Sequence, residues 1–203
     1  MERDEVWQHT IDQRLALRDV LRDLSPEEWD QPSLCAGWRV RDVAGHVISG
    51  PQLGLVDTIK VMGGMWRGYN GMILRDGQRR GSAPVADILA QYDEWAEVRK
   101  GPLTVTHVEP LIDAIVHTQD IVRPLGRTVA APPEAAAVAA DRVRALAPLF
   151  GTRHLFSELR MVATDTDWVR GTGRELRAPM IELLMMSTGR PTARRGRLAR
   201  PPS

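Results

Sequence analysis

The 203-residue chain carries 27 lysine and arginine residues against 26 aspartate and glutamate residues, giving a formal net charge of +1. This balance excludes a polybasic nucleic-acid-binding arm or an acidic tail as the main feature of the sequence. With 43% hydrophobic and 26% charged residues, the composition is that of a globular protein with a sizeable core. No stretch reaches the roughly 18 apolar residues of a membrane span, and the N-terminus lacks the apolar segment of a secretory signal, so we expect a soluble, cytoplasmic protein.

The contents of cysteine and lysine are both low. Cys35 is the only cysteine, which excludes an intramolecular disulfide and a cysteine-rich metal cage. Lysine occurs only at Lys60 and Lys100, so all but two of the 27 basic residues are arginine. A GC-rich genome explains this bias, and bidentate recognition of carboxylates or phosphates by arginine is the physical alternative.

The first part of the chain has the periodicity of a helical bundle. Apolar residues at helical spacing predict four amphipathic helices, over 6–24, about 40–62, 83–98 and about 108–122. Ser25, followed by Pro26 and then by Glu28, has the pattern of a capping box and predicts a short helical turn. The pair Gly50-Pro51 is expected to bend or break the second long helix. Four helices of this kind can close into a bundle.

One glycine-rich segment interrupts this pattern. Residues 63–82 contain six glycines and little periodicity, which indicates a loop or a frayed helix extension. Loops of this length in a compact domain are often functional, so we interpret the segment as a candidate pocket lid, with a simple mobile connection as the alternative. Its candidate lid residues are Trp66, Arg67, Tyr69, Arg79 and Arg80.

After Gly126 the character of the sequence changes. The patterns predict an alanine-rich helix over 131–149, a strand over 157–164, a second strand over 175–177 and a short helix over 180–186. We therefore predict a mainly α protein, a four-helix bundle followed by a small α+β C-terminal segment. The predicted division is 1–128 for the bundle, 129–192 for the α+β segment and 193–203 for a disordered basic tail.

Candidate metal ligands lie on two of the predicted helices. Asp113 and His117 are four residues apart, so they project from one helix face at the spacing with which a helix offers two ligands to one metal. His46, beside an inward-facing apolar stripe, is the candidate third ligand. The alternative is that His46 is an ordinary core or boundary histidine and that the polar residues of the other helix form a solvent-facing stripe: Glu109, Asp113, His117 and Asp120. The remaining histidines are expected in surface or loop roles: His9, His107 and His154.

Two motifs carry a resemblance to a known family. Both motifs resemble the mycothiol-dependent maleylpyruvate isomerase family. The first runs from Trp29 through Pro32-Ser33-Leu34-Cys35-Ala36-Gly37-Trp38 to His46, and the second runs from Asp113 through His117-Thr118-Gln119-Asp120 to Gly126. This family is a branch of the DinB-like metal-binding four-helix bundles. A third similarity to this family extends from Val162-Ala163-Thr164-Asp165 to Gly189-Arg190-Pro191.

The resemblance implies a divalent metal, zinc first among the candidates, held by His46, Asp113 and His117. The isomerase type has glutamate where this chain has the shorter Asp113, so the isomerase activity is not transferred with the site. The implied thiol cofactor is mycothiol of actinobacteria, which would add to an activated cis double bond, allow rotation and leave. Isomerisation, or thiol transfer, on a small carboxylate-bearing substrate is therefore expected, with Arg190 as the candidate carboxylate clamp and a surface arginine as its alternative.

The sequence also allows interpretations other than the enzymatic one. The rival is a non-catalytic metal-binding or interaction protein of the same fold, while a nucleic-acid or membrane partner is not expected. Cys35 could be a nucleophile at a helix entrance, but we interpret it as an inert core residue because the family draws its reactive thiol from the cofactor. The chain is expected to be a monomer or a homodimer, and its ligands also suit nickel, iron or manganese.

Overall fold

The computed structural model describes residues 1–54, 69–102 and 105–190. Within them, contacts divide the chain into two compact units, Met1–Ala130 and Ala131–Ser203, which are described separately. The predicted tail over 193–203, the predicted helical stretch 55–62 and the first candidate lid residues Trp66 and Arg67 lie outside the described residues. No helix in the described ranges combines the length and apolar character needed to cross a membrane.

One long helix and a short helical turn open the first unit much as predicted. Helix α1, Arg3–Arg22, begins after Glu2, whose side chain takes part in a capping box with Glu5. Helix α2, Pro26–Trp29, is a single turn in which the Ser25 hydroxyl accepts a hydrogen bond from the Glu28 amide. The Glu28 carboxylate in turn accepts from the Ser25 amide at 2.8 Å. The capping box predicted from the sequence is therefore confirmed.

Helix α3, Val40–Ser49, is shorter than the predicted second helix. It ends at the predicted glycine-proline break and continues as a 3-10 turn over Gly50–Gln52. Pro51 lacks an amide hydrogen and its ring cannot follow an α-helical turn, which explains the ending. The side chains of Val40, Val43 and Ile48 are fully buried on one side of α3.

Helix α4, Tyr69–Gly81, corrects the loop prediction for 63–82 over its described part. Its glycines do not break the helix, and Gly81 contacts α3, the helix that carries His46. A Cβ on Gly81 would lie 2.6 Å from the Cα of Asp42, and one on Gly45 would lie 3.0 Å from the Cβ of Arg80. These glycines allow the backbones of α3 and α4 to approach closely. The candidate lid arginines Arg79 and Arg80 both pair with Asp76 within α4.

Helices α5, Val85–Trp95, and α6, Glu109–Val122, complete the bundle. Helix α1 packs against both α5 and α6, and α3 packs against α4, α5 and α6. The hydroxyl of the fully buried Tyr92 donates to the Ala44 carbonyl oxygen at 3.0 Å and ties α5 to α3. Burial raises the pKa of Tyr92, so the phenol stays protonated as a donor. The four predicted helices are therefore present, with α4 in addition.

The second unit contains four helices and a small sheet among its described residues. The helices are α7 Pro133–Ala145, α8 Ala147–Phe150, α9 Leu155–Glu158 and α10 Met180–Ser187. The strands are β1 Leu159–Ala163, β2 Val169–Arg170 and β3 Arg174–Ala178. The sheet order is β2-β1-β3, with β1 antiparallel to β2 and parallel to β3.

The predicted fold class, mainly α with a small α+β segment, is confirmed. Helices α7 and α10 pack together, and four alanines of α7 are fully buried: Ala135, Ala136, Ala139 and Ala140. Two details of the prediction were wrong. Residues 155–158 form a helical turn before β1, and β2, which is only two residues long, was missed because so short a strand carries no periodicity.

Candidate metal centre

The three predicted ligands lie together inside the first unit. His46 projects from α3, and Asp113 and His117 project from α6 one turn apart. His46 Nε2 lies 3.2 Å from Asp113 Oδ1, and His117 Nε2 lies 3.4 Å from the same oxygen. One donor atom from each of the three residues lies within 4.8 Å of the others. The structure therefore brings both imidazoles to one carboxylate oxygen.

Packing of α3 and α6 explains this convergence. Val43 and Val47 flank His46 on α3, and Ala114 and Ile115 lie beside Asp113 on α6; all four are buried. The two helices pack directly against each other, so polar side chains at the margin of this apolar contact meet. The exposed fractions of the side chains are 22% for His46, 32% for Asp113 and 14% for His117. The site is thus held by the bundle and its side chains are partly exposed to solvent.

The charges at the site are strongly coupled. Burial by itself raises the pKa of Asp113, but the adjacent His46 and His117 more than offset this and hold it well below its usual range. Burial by itself lowers the pKa of His117, whereas Asp113 and the hydrogen bonds with Asp120 and Cys35 raise it well above the usual value. Asp113 is therefore an anion between two imidazoles. A cation bound here would meet a carboxylate that is already ionised.

Asp120 belongs to this site, although the solvent-facing alternative placed it on the surface. Its side chain is fully buried, and Asp120 Oδ2 lies 2.9 Å from His117 Nδ1. Helix α6 packs on both α1 and α3, so the face that carries Asp120 is covered. The spacing of three residues from His117 was the available signal, but spacing alone does not tell which face of a helix is buried.

Cys35 packs against the hydrophobic core, as the sequence analysis expected, and also lies beside the site. Its thiol donates to Asp120 Oδ2 at 3.1 Å, and its sulfur lies 3.6 Å from His117 Nδ1. The loop that carries it is anchored on α6, because the Leu34 amide donates to the Asp120 backbone oxygen at 3.0 Å. This loop therefore places the Cys35 side chain beside His117.

The contacts of Cys35 do not resemble those of a thiol nucleophile activated by a histidine. In such an arrangement the nucleophile and the orienting carboxylate occupy opposite nitrogens of the imidazole. Here Cys35 and Asp120 both lie at Nδ1, while Nε2 faces Asp113. His117 thus has no separate nitrogen with which to deprotonate the Cys35 thiol.

Trp38 packs on the two histidines and was missed in the sequence analysis as a site residue. Its ring centroid lies 5.0 Å from that of His46 and 6.1 Å from that of His117. Its indole nitrogen donates to the Leu74 carbonyl oxygen at 3.1 Å, which fixes the ring against α4. A Cβ on Gly77 of α4 would lie 2.6 Å from the Trp38 Cε2 atom. Because Gly77 has no side chain, it leaves room for the Trp38 ring.

The other candidate residues lie elsewhere in the described structure. Arg190 belongs to the second unit, where its guanidinium donates to the Thr188 carbonyl oxygen at 3.1 Å, and its role as a carboxylate clamp stays a prediction. His9 and His107 are half-buried and His154 is exposed, and none of the three belongs to a metal-binding cluster found in the described residues.

The donor set fits a divalent transition metal. Two imidazole nitrogens and one carboxylate oxygen are the ligand types that zinc accepts, and three protein ligands are typical of catalytic zinc sites. The contact from Asp120 to the far nitrogen of His117 matches the outer-sphere carboxylate that metal-bound histidines commonly have. A second cluster, Cys35, His117 and Asp120, also has its donor atoms within 4.8 Å, but Asp120 at its centre is fully buried.

A comparison with known protein families tests the resemblance predicted from the sequence. Residues 5–59 match the family model described as "Mycothiol maleylpyruvate isomerase N-terminal domain". The match agrees with the family resemblance predicted from the sequence over these residues. The matched segment contains α1 to α3 with Cys35, Trp38 and His46, whereas Asp113 and His117 of α6 lie beyond it. The isomerase N-terminal domain thus accounts for one of the three candidate ligands.

The fold agrees with a solved structure titled "Crystal structure of the mycothiol-dependent maleylpyruvate isomerase". The superposition has a TM-score of 0.63 and covers 100% of this chain and 97% of the isomerase, with 11% sequence identity. At this identity the likeness establishes a shared fold. The comparison with curated proteins finds no match.

Proposed function

We propose that this chain is a metal-dependent enzyme that uses mycothiol for isomerisation or thiol transfer on a small, carboxylate-bearing substrate. The observation that carries the proposal is the convergence of His46 Nε2 and His117 Nε2 on one oxygen of Asp113. This convergence occurs in a fold shared with a mycothiol-dependent isomerase.

The roles of the residues follow from their contacts. His46, Asp113 and His117 would hold the metal, with the anionic Asp113 offsetting part of its charge. Asp113 is also the most exposed of the three, so ligands reach the site from its side. Trp38 covers the rings of both histidines and excludes water from one flank of the site.

A metal bound here would stabilise the thiolate form of a thiol, which is the nucleophile that an activated double bond or another electrophile requires. Zinc is our first choice, because two imidazoles and a carboxylate suit it and it undergoes no redox change. The carboxylate of the substrate would be recognised by a guanidinium, for which Arg190 of the second unit is the candidate.

The first test is metal content. Untagged protein should contain about one equivalent of metal per chain after reconstitution with zinc, as expected for a three-ligand site. His46→Ala and His117→Ala should each lose this metal, while His154→Ala should retain it, because His154 is exposed and outside the cluster. A folded wild-type protein that binds none of zinc, nickel, iron or manganese would overturn the proposal.

The second test is thiol-dependent activity of the zinc-loaded protein. We expect mycothiol to be required for the cis-to-trans conversion of maleylpyruvate or related cis-unsaturated keto acids, or to be consumed in transfer to an electrophile. Arg190→Ala should raise KM for the acidic substrate more than Arg153→Ala, a change at an exposed arginine of the same unit. Metal binding without any thiol-dependent turnover would instead favour the non-catalytic alternative.

A further inference from the structure

A buried carboxylate lies directly behind the candidate centre. Asp120 has no exposed surface, and its Oδ2 atom receives the Cys35 thiol at 3.1 Å and lies 2.9 Å from His117 Nδ1. Burying an ionised carboxylate costs free energy unless hydrogen bonds compensate it. The Cys35 thiol provides one such hydrogen bond, and a hydrogen on His117 Nδ1 would provide a second.

The contact sets the orientation of the imidazole ring. The two nitrogens of a histidine point in different directions, and which of them carries the hydrogen is set by the bond that the other makes. At His117, Nδ1 faces Asp120 and Nε2 faces Asp113. A hydrogen held on Nδ1 by Asp120 leaves the lone pair of Nε2 directed toward Asp113 and His46.

We propose that Asp120 is a positioning residue that fixes His117 in its Nδ1–H form and so presents Nε2 as the ligand atom of the centre. This inference rests on the proposed function, because it assigns which nitrogen of His117 binds the metal. The alternative use of His117, through Nδ1 with Cys35 and Asp120, would place the metal against a carboxylate that solvent does not reach. The more exposed Nε2 side favours our assignment.

The backbone of the preceding loop fixes Asp120 from outside the helix. The Leu34 amide donates to the Asp120 carbonyl oxygen at 3.0 Å, and Cys35 follows directly in the chain. The loop between α2 and α3 therefore supplies one donor to the carboxylate of Asp120 and one to its backbone. This loop, which resembles the family's opening motif, thereby contacts the helix that carries two of the three ligands.

The test compares zinc affinity in graded variants of Asp120. Asp120→Asn keeps a neutral acceptor and Asp120→Ala removes it, so we expect affinity to fall in that order, by about 10–100-fold for alanine. Asp42→Asn is the matched control, because Asp42 is another buried carboxylate but bonds to Arg39 at the start of α3. Asp42→Asn should lower the free energy of unfolding without weakening zinc binding. Equal losses of zinc affinity in the control and in Asp120→Ala would overturn the inference.

The nitrogen spectrum of the histidines gives a readout independent of activity. In zinc-loaded protein labelled with 15N histidine, His117 should show a hydrogen on Nδ1 and zinc on Nε2, and Asp120→Ala should lose the slowly exchanging Nδ1 hydrogen. Zinc on Nδ1 in the wild-type protein would contradict the assignment. If the wild-type protein bound no zinc, the proposed function would fail. In that case the nitrogen spectrum of the metal-free protein in alkaline solution would test the positioning role of Asp120 by itself. The Nδ1–H form of His117 would support that role, and the Nε2–H form would overturn it.

Discussion

The imidazole rings of His46 and His117 meet edge to face, with centroids 5.1 Å apart and planes inclined at 86°. This geometry lets an Nε2 atom from each ring approach the same oxygen of Asp113. Because the rings come from different helices, their relation depends on the packing of α3 against α6. Changes at Asp113, at the ring-packing residue Trp38 or in the bundle should therefore affect the centre in different ways.

Asp113 should be required for metal affinity through its charge. Asp113→Asn keeps the size of the side chain but removes the anion between two imidazoles, so we expect zinc affinity to fall more than about 100-fold, beyond the range for outer-sphere residues. Asp113→Glu keeps the carboxylate and should retain most binding. Competition against a chromophoric zinc chelator measures both, and a zinc affinity of Asp113→Asn equal to wild type would exclude Asp113 as a ligand.

A methyl group at Gly77 should disturb the site from a distance. Because its Cβ would lie 2.6 Å from the Trp38 ring, Gly77→Ala must displace the indole that packs on His46 and His117. We expect about 1–3 kcal/mol of destabilisation from this overpacking, together with weaker zinc binding. Gly71→Ala in the same helix is the control, since nothing lies within 4 Å of its Cβ.

The control variant should behave in the opposite direction. Gly71 is an exposed residue of helix α4, so alanine there should stabilise the protein by about 0.5–1 kcal/mol. Urea unfolding of both variants checks the difference. Similar unfolding free energies for Gly77→Ala and Gly71→Ala would contradict the close contact between α4 and Trp38.

Replacement of Cys35 should leave thiol chemistry in place. The sulfur lies on the Nδ1 side of His117 with Asp120, which is not the position of an activated nucleophile. Cys35→Ser keeps a donor to Asp120 and should retain mycothiol-dependent turnover, with Cys35→Ala showing a modest loss of zinc affinity. Loss of turnover in both variants, with zinc still bound, would identify Cys35 as the reactive thiol.

Tyr92 should contribute to stability without contributing to the centre. Tyr92→Phe removes the hydrogen bond to the Ala44 carbonyl oxygen but keeps the ring in the core. We expect a loss of about 1 kcal/mol in the free energy of unfolding and no change in zinc affinity. Urea denaturation with and without zinc separates the two effects, and a fall in affinity would mean that Tyr92 positions α3 more directly.

The Glu28 carboxylate should make stability depend on pH. The Ser25 amide, and then Arg127, lower the pKa of Glu28 below its usual value. A carboxylate with a lowered pKa in the folded state stabilises it above the pKa of the unfolded chain, about 4.3, and loses this contribution as the pH falls. The difference in unfolding free energy between wild type and Glu28→Gln should therefore be largest near neutral pH and shrink in acid. A difference that did not change with pH would contradict this.

Much of the secondary structure of this protein could be predicted from its sequence, because it depends on local interactions. The capping box at Ser25, the helix end before Gly50-Pro51 and the helical spacing of apolar residues depend on neighbours within a few positions, and the structure follows them. Asp113 and His117 share a helix face for the same reason. His46 was predicted from its place beside an inward-facing apolar stripe, and the family resemblance implied the same residue.

Tertiary packing decided what the sequence left open. The predicted loop over 63–82 is helical from Tyr69, because its glycines fit against α3 and Trp38, and no local pattern distinguishes such a glycine from a helix breaker. Asp120 is buried and Cys35 reaches it only because the loop before α3 packs on α6. Contacts between residues distant in sequence form when helix faces are paired. The sequence by itself thus determined the helices and the candidate ligands, and the packing of the bundle determined the residues that surround them.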